Sequence, residues 1–416
     1  MTNLTALIAI LASLAALGQA ADSCSKDVKV SSQGDLDAIK SCKEYKGTIT
    51  IDNTPLEQLR LEGVQTLQGD LLVQKNEALR SFSAPQLQAV QGHLKIHTQV
   101  QMNKLDMPAL TEAKQLTLAV LPVLEHIQFP AKLTKVEDVR IEDIRASGID
   151  GFEPASLNSL TLTENSYIKS FKLSVQELLG SLYVTANGHD LAFEAPELTS
   201  VQNATFRDLA SLSMPKLTQV SSDISFHQNA FDKLNLDSVQ LIGGTLSIAN
   251  NDKLTETSLK SVERIGGALS IGNNTQLTAI SGFPKLSEVD GTVDVAGGFD
   301  QYELPQLQDV RGGMRIQTTS SRFPCPDTEK KLKMTNVVKG SIWSCQSSMN
   351  ANDLSPTVGQ PKGGSISGGS NGGPNSNNSK GSSNTNQSAL SSASSLSAHG
   401  SWLALAAGIA FAAVSM

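Results

Sequence analysis

The chain is poor in aromatic residues: Phe, Trp and Tyr make up 4% of its 416 residues. Sugar-binding surfaces usually stack rings against the pyranose, so a receptor-like or adhesin module built on an aromatic platform finds little support. Basic residues are outnumbered, 33 Lys and Arg against 40 Asp and Glu, for a net charge of -7. A phosphate-binding surface needs clustered Lys and Arg, so no nucleic-acid partner is expected. HExxH and Walker sequences are missing, which removes the commonest zinc-protease and nucleotide-binding signatures. The four cysteines include no CxxC and have no His beside them, a spacing that argues against structural zinc. No cofactor or metal is expected.

What is present begins at the ends. The run LTALIAILASLAALGQA is apolar but too short to span a membrane, and it finishes in Gly18-Gln19-Ala20. Small residues at the positions signal peptidase inspects predict a signal peptide over 1–20, cleaved after Ala20, although no Lys or Arg precedes the apolar run. At the other end, SWLALAAGIAFAAVSM from Ser401 to Met416 is apolar with no polar flank beyond it, unlike a finished transmembrane helix. Upstream stand small residues and then a polar spacer, the order of a glycosylphosphatidylinositol (GPI) signal. Ser391, followed by Ser392 and Ala393, leaves Ser394 to Ser401 as spacer. Ser391 is therefore the predicted attachment residue, with Ser392 and Asn386 as weaker choices and 392–416 as the propeptide. The competing reading of that tail is a tail anchor.

Between the signals the chain repeats itself from Gly47 to Phe323 with a period of about 22 residues, a solenoid signature. GDLLVQKNEAL, NSLTLTENSYI, GSLYVTANGHDL, GGTLSIANNDKL and GGALSIGNNTQL share one pattern: Gly, an apolar-x-apolar pair, then Asn three residues on. Gly69 and Gly92 lie 23 apart, as do Gly244 and Gly267. Alternation such as Leu246/Ile248 predicts a short strand with one buried face, and stacked copies make a parallel sheet. The recurring Asn76, Asn165, Asn187, Asn229, Asn251 and Asn274 are expected to form a structural ladder. Each amide would pair with turn backbone and with the equivalent Asn one coil away.

A second element, Pro followed by Leu, recurs in APQLQAV, MPALTEA, FPAKLTKV, APELTSV, MPKLTQV, FPKLSEV and LPQLQDV. Pro presets the backbone where the chain turns onto another side of the coil. Twelve or thirteen coils fit the count. Those near KQLTLAVLP and EDVRIEDI lose the Gly and the Asn and suggest a junction between two halves. A solenoid needs caps at both ends. The cysteines sit there: Cys24 and Cys42 in an N-terminal cap over 21–46, Cys325 and Cys345 in a C-terminal cap over 324–346. In an oxidising compartment the near pairs are the natural bridges, with two other connectivities formally open. DLDAIKSCKEYKG is expected to hold a short capping helix. The stretch 347–391 is low-complexity Ser, Gly and Asn, a flexible stalk that cannot form a core.

These pieces together resemble the fungal extracellular-mutant and sporulation-specific family of cell-wall proteins. GGTLSIANNDKL and GGALSIGNNTQL are the most specific segments, and the likeness covers nearly the whole chain. That family's repeats are similar to receptor L-domains. The resemblance implies an all-β fold: a parallel right-handed β-helix, leucine-rich and receptor L-domain-like, with disulfide caps and a disordered C-terminal stalk, built as one solenoid over 47–323 or as two abutting halves. It also implies a non-enzymatic role in wall organisation and integrity, in morphogenesis and, in pathogens, in contact with the host. The membrane, through the GPI lipid, and wall glucan or mannoprotein are the implied partners, with an unidentified protein ligand also open. No catalytic motif carries over.

Four N-glycosylation sequons survive signal cleavage: Asn203 and Asn273 in the solenoid, Asn377 and Asn386 in the stalk. The rival enzyme reading needs clustered carboxylates, since β-helices also host polysaccharide-cleaving enzymes. Asp143 and Glu164 fall at equivalent positions of successive coils, but one stacked pair among 40 acidic residues is a weak signal. His93 and His97 are four apart on a strand, which does not present them as a helical zinc pair.

Overall fold

The computed structural model describes residues 24–354. The signal peptide, most of the stalk, Asn377, Asn386, Ser391 and the propeptide lie outside the described residues.

The apolar-x-apolar pairs stack as the period requires. Ile49 and Ile51 register with Leu71 and Val73, these with Leu94 and Ile96, and these with Leu116 and Leu118. The same two columns continue through Leu246/Ile248, Leu269/Ile271 and Val293/Val295 to Met314/Ile316, for about 13 turns. Every one of these side chains is buried. Enclosing each against the next coil is worth about 1.5–3 kcal/mol per side chain, and this drives the stacking. All strand pairings are parallel, so the molecule is a β-helix.

Each coil has three sides. Going along the chain, a short side strand such as Glu44–Lys46 leads into a front strand such as Ile49–Asp52, and a back strand such as Gln58–Arg60 follows. Front and side strands join into one sheet of 22 strands, while the back strands form separate sheets of two or three. Phenylalanines fill the middle of the helix: Phe171 stacks on Phe193 at 6.1 Å, and Phe206 on Phe226 at 5.5 Å between ring centroids.

Two sequence elements shape the corners. The glycine of the repeat stands where side strand meets front strand, and there backbone packs on backbone. A Cβ on Gly69 would lie 2.3 Å from the Gly47 carbonyl oxygen, and one on Gly291 would lie 2.6 Å from the Gly267 carbonyl, so neither position admits a side chain. The Pro-Leu element forms the turn from back to side: the Leu87 N–H donates to Ala84 O, and Leu110 N–H to Met107 O, each across a four-residue turn with Pro second. Leu87, Leu110, Leu198, Leu217 and Leu286 drop from these turns into the core. FPAKLTKV carries one residue more, and Lys132 adopts φ 67° to absorb it.

The coils that lack Gly and Asn do not interrupt the sheet. Glu112–Leu121 and Lys135–Ile144 are long strands running from side to front, paired with each other and with both neighbours. The register slips between Ala113 and Gln115. That irregularity lets exposed Lys114 stand in the column where other coils carry glycine.

The ends are closed by the two near-neighbour disulfides. Cys24–Cys42 spans 5.7 Å between Cα atoms, and helix α1 (Gln33–Asp37) starts two residues before the segment expected to hold a capping helix and overlaps only its first turn. Asp35 accepts the Ser31 and Ser32 N–H groups and hydroxyls, which hold its carboxyl at about 2. Cys325–Cys345 spans 5.6 Å and links helix α2 (Cys325–Leu332) to a last strand, Trp343–Gln346, laid on Met314–Thr318.

Candidate functional surface

The six ladder asparagines occupy the corner between front and back strands, and all are buried. Asn251 shows the chemistry. Its Oδ1 accepts from Asn229 N–H at 2.9 Å and from Asn229 Nδ2 at 3.0 Å. Its Nδ2 donates to Phe226 O at 3.1 Å and to Asn274 Oδ1 at 3.0 Å. Amide oxygens take the turn N–H of the coil before, and amide nitrogens take a strand carbonyl, so the turn and strand groups that each such asparagine reaches are paired.

The ladder is interrupted, however. Asn229, Asn251 and Asn274 form one run and Asn165 with Asn187 another, linked at 3.0 Å. Asn76 has no asparagine above it, contrary to the expectation that each pairs with its equivalent. It bonds Thr54 N–H and Ile51 O, and the next coil places Gln99 there. Gln99 is fully buried, its amide curls back to His97 O, and its Oε1 finds no partner. One methylene makes it too long for the corner.

The residue before each ladder position is a feature that sequence reasoning missed. Asn53, Lys75, Thr98, Val120, Asp143, Glu164, Ala186, Asp208, Gln228, Asn250 and Asn273 all adopt left-handed φ between 48° and 62°. Asn and Asp tolerate this region best, and their frequency in the column was the available signal. The equivalence of Asp143 and Glu164 follows from this turn. Both are exposed on it, and neither lines either of two grooves that lie along this corner. One groove, of about 800 Å³, is bordered by Asp52, Lys75, Glu77 and Thr98; the other, about 430 Å³, by Lys169, His189 and Asp190.

His93 and His97 lie on the outward side of the front sheet and bond neighbours, His93 Nε2 to Thr117 Oγ1 at 2.8 Å and His97 Nδ1 to Thr98 Oγ1 at 2.6 Å. Burial, then Lys95, lowers the pKa of both. Among the described residues no three His, Cys, Asp or Glu gather as a metal site. Further along the same surface Tyr183 is 40% exposed, between Thr161 and Thr205 of the adjoining strands. The sequon Asn203 is half-buried on this sheet and accepts from Asp223 N–H at 3.4 Å. Asn273 is half-buried in the left-handed turn while Asn274 points inward.

A continuous β-helix with this corner chemistry has named relatives. The cell wall protein ecm33 of Schizosaccharomyces pombe is 33% identical over 354 residues, covering 83% of each chain. The chain belongs to the Ecm33 family. Further relatives of this Ecm33-family chain include sporulation-specific protein 22 of Saccharomyces cerevisiae, 27% identical over 80% of this chain and 72% of that one. The cell surface GPI-anchored protein ECM33 of Candida albicans is 27% identical over 84% and 86%. No family model and no solved structure matches the chain.

Proposed function

We propose that this chain is a fungal cell-surface glycoprotein, held by a GPI anchor at the membrane and wall, whose β-helix serves wall organisation as a rigid non-enzymatic element. The observation that carries this is the alignment, over four-fifths of the chain, with relatives named as cell wall and GPI-anchored surface proteins. The two apolar end signals match that destination. In this reading 1–20 is removed, 347–391 forms the stalk and Ser391 receives the lipid. Asn203, Asn273, Asn377 and Asn386 carry N-glycans. Wall glucan or mannoprotein meets the polar outward side of the front sheet around Tyr183, where hydroxyl-bearing side chains repeat from strand to strand.

Fractionating intact cells before and after phosphatidylinositol-specific phospholipase and glucanase tests the anchor. Release by one or both is expected. A protein resistant to both, extracted only by detergent with its C-terminus intact, would overturn the reading. Depolymerisation of wall polysaccharide by the purified protein, abolished by Asp143→Asn, would overturn the non-enzymatic part.

A further inference from the structure

Two aromatic rings stand exposed among the described residues: Tyr183 on the front sheet and Tyr167, 51% exposed, on the corner where the chain leaves the ladder asparagines for the back face. Tyr167 is held from one side. The Arg145 guanidinium of the preceding coil lies over its ring, 4.9 Å from the centroid, and Arg145 Nη1 donates to the Tyr167 hydroxyl at 3.3 Å. Arg145 is fixed in turn by Glu125, its Nε 3.1 Å from the carboxylate. The following coil offers no such cover. Arg145, Ser166 and Gly188 each follow the ladder position of successive coils, so where the preceding coil supplies a guanidinium the following one supplies a glycine. A Cβ on Gly188 would lie 2.6 Å from Ser166 O, so the close approach of the two turns keeps that position bare. One face of a fixed ring is left open toward the next coil.

The residues on either side of Tyr167, Ser166 and Ile168, line the groove of about 430 Å³, and Gly188, His189 and Asp190 of the following coil form its other wall. Its polar members Ser166, Lys169, His189 and Asp190 are all exposed. Elsewhere on the surface, opposite charges on successive coils pair, as Lys216 does with Glu197 at 2.6 Å and Lys260 with Asp237 at 2.7 Å. Lys169 and Asp190 do not. Among the described residues, the side chains of these four groove members make no hydrogen bond or ion pair with the protein. A hydroxyl, an ammonium, an imidazole and a carboxylate therefore surround one opening as unengaged donors and acceptors beside a free aromatic face.

That combination suits a sugar. A pyranose with equatorial hydroxyls presents a face of C–H groups, which packs on the electron-rich face of an aromatic ring, while its hydroxyls radiate in the ring plane and each can donate and accept. An anionic ligand would meet the Asp190 carboxylate, and an apolar one would leave the four polar groups unpaired. We propose that the Tyr167 corner is a saccharide subsite, which stacks one β-glucosyl unit of wall glucan on the open face of Tyr167 and bonds its hydroxyls through Lys169, His189 and Asp190. Asp190 is the one carboxylate among the residues bordering the groove. Glycoside hydrolysis takes a pair of them, so the subsite binds without cleaving. It is separate from the front sheet around Tyr183, and it rests on the wall location only for the source of the glucan.

Titration of the mature full-length protein with a β-1,3-linked glucohexaose, followed by saturation-transfer NMR, tests it. A Kd of about 1 mM is expected for a shallow site with a single ring. Tyr167→Ala should weaken binding at least about tenfold, whereas Tyr167→Phe keeps the ring and should stay within about threefold of the unaltered protein. Asp190→Asn, on an exposed turn, should weaken it about threefold or more and decides the matter if the Ala variant fails to fold. Tyr183→Ala should leave binding unchanged. No binding by the unaltered protein overturns the proposal. So does a loss with Tyr183→Ala but not with Tyr167→Ala, which would put the glucan on the front sheet, and so does equal binding of a mannohexaose, which would remove the assignment to glucose. Failure of the wall location would show in the cell fractionation and leave this titration as it is.

Discussion

The coils around Asn229–Asn274 and those around Glu112–Ile144 follow the same backbone path with different chemistry at its corners. In the first group an amide ladder satisfies the corner and stacked glycines let the chain bend sharply. In the second, Leu121 and Ile144 fill the ladder column with apolar bulk. Backbone groups pair there, Gln99 N–H with Val120 O at 3.1 Å and Arg145 N–H with Leu121 O at 3.2 Å, while the Ile144 N–H donates to Asn165 Oδ1 of the next coil at 3.2 Å. What recurs in both is the left-handed residue before the corner. The fold therefore demands a turn and a filled corner, and it accepts either polar or apolar filling provided each buried backbone group finds a partner.

The sharpest way to break that equivalence is to exchange the fillings. Asn251→Leu copies the middle coils but removes the acceptor of Asn229 N–H and the donor to Phe226 O. Two or more buried groups lose partners, so a loss of roughly 3–5 kcal/mol is expected in urea unfolding of the secreted domain. A loss under about 1 kcal/mol would show the ladder to be dispensable. The reverse exchange, Leu121→Asn, is expected to cost about 2–4 kcal/mol from the lost packing and the unpaired amide.

The glycine corner is the next comparison. Gly291→Ala puts a methyl 2.6 Å from the Gly267 carbonyl carbon and 2.8 Å from Ala268 N, and about 1–3 kcal/mol of destabilisation follows from the forced backbone shift. Lys114→Ala, in the same column of a glycine-free coil, faces solvent and should change stability by less than about 0.5 kcal/mol. Comparable thermal shifts in the two variants would remove the distinction between the corners.

The smallest effect sharpens the boundary between ladder and apolar corner. Gln99→Asn shortens a side chain whose Oε1 is buried without a partner and would place an amide over Asn76 as Asn187 stands over Asn165. A gain of about 1 kcal/mol is expected. A loss would mean that the amide contact from Gln99 to His97 O outweighs the orphaned oxygen.

Much of this was legible in residue order. The apolar-x-apolar pairs located the front strands, the Pro-Leu pairs located the turns to the side face, and the asparagines located a buried corner, because each is a local demand repeated every coil. The middle coils were harder to read. Their missing Gly and Asn looked like a junction, but a register slip at Lys114 and backbone pairing at Val120 replace both devices, and neither leaves a composition signal. Val120, Thr98 and Lys75 in left-handed turns are likewise invisible from propensity, since β-branched and long side chains avoid that region unless the surrounding stack imposes it. The equivalence of Asp143 and Glu164 was visible, but its cause was the turn.

By itself, the sequence determined the period and the parallel stacking of buried pairs, because these rest on local chemistry repeated at one spacing. Only the tertiary structure decided how the asparagines divide into separate ladders and which corners do without them. It also decided which outward positions of the front sheet are buried, Ala119 and Thr185 in the middle coils as well as Ala249, Ser270 and Ala296 in the last. Those outcomes depend on what the adjacent coil presents at each corner and face, and no single repeat contains that information.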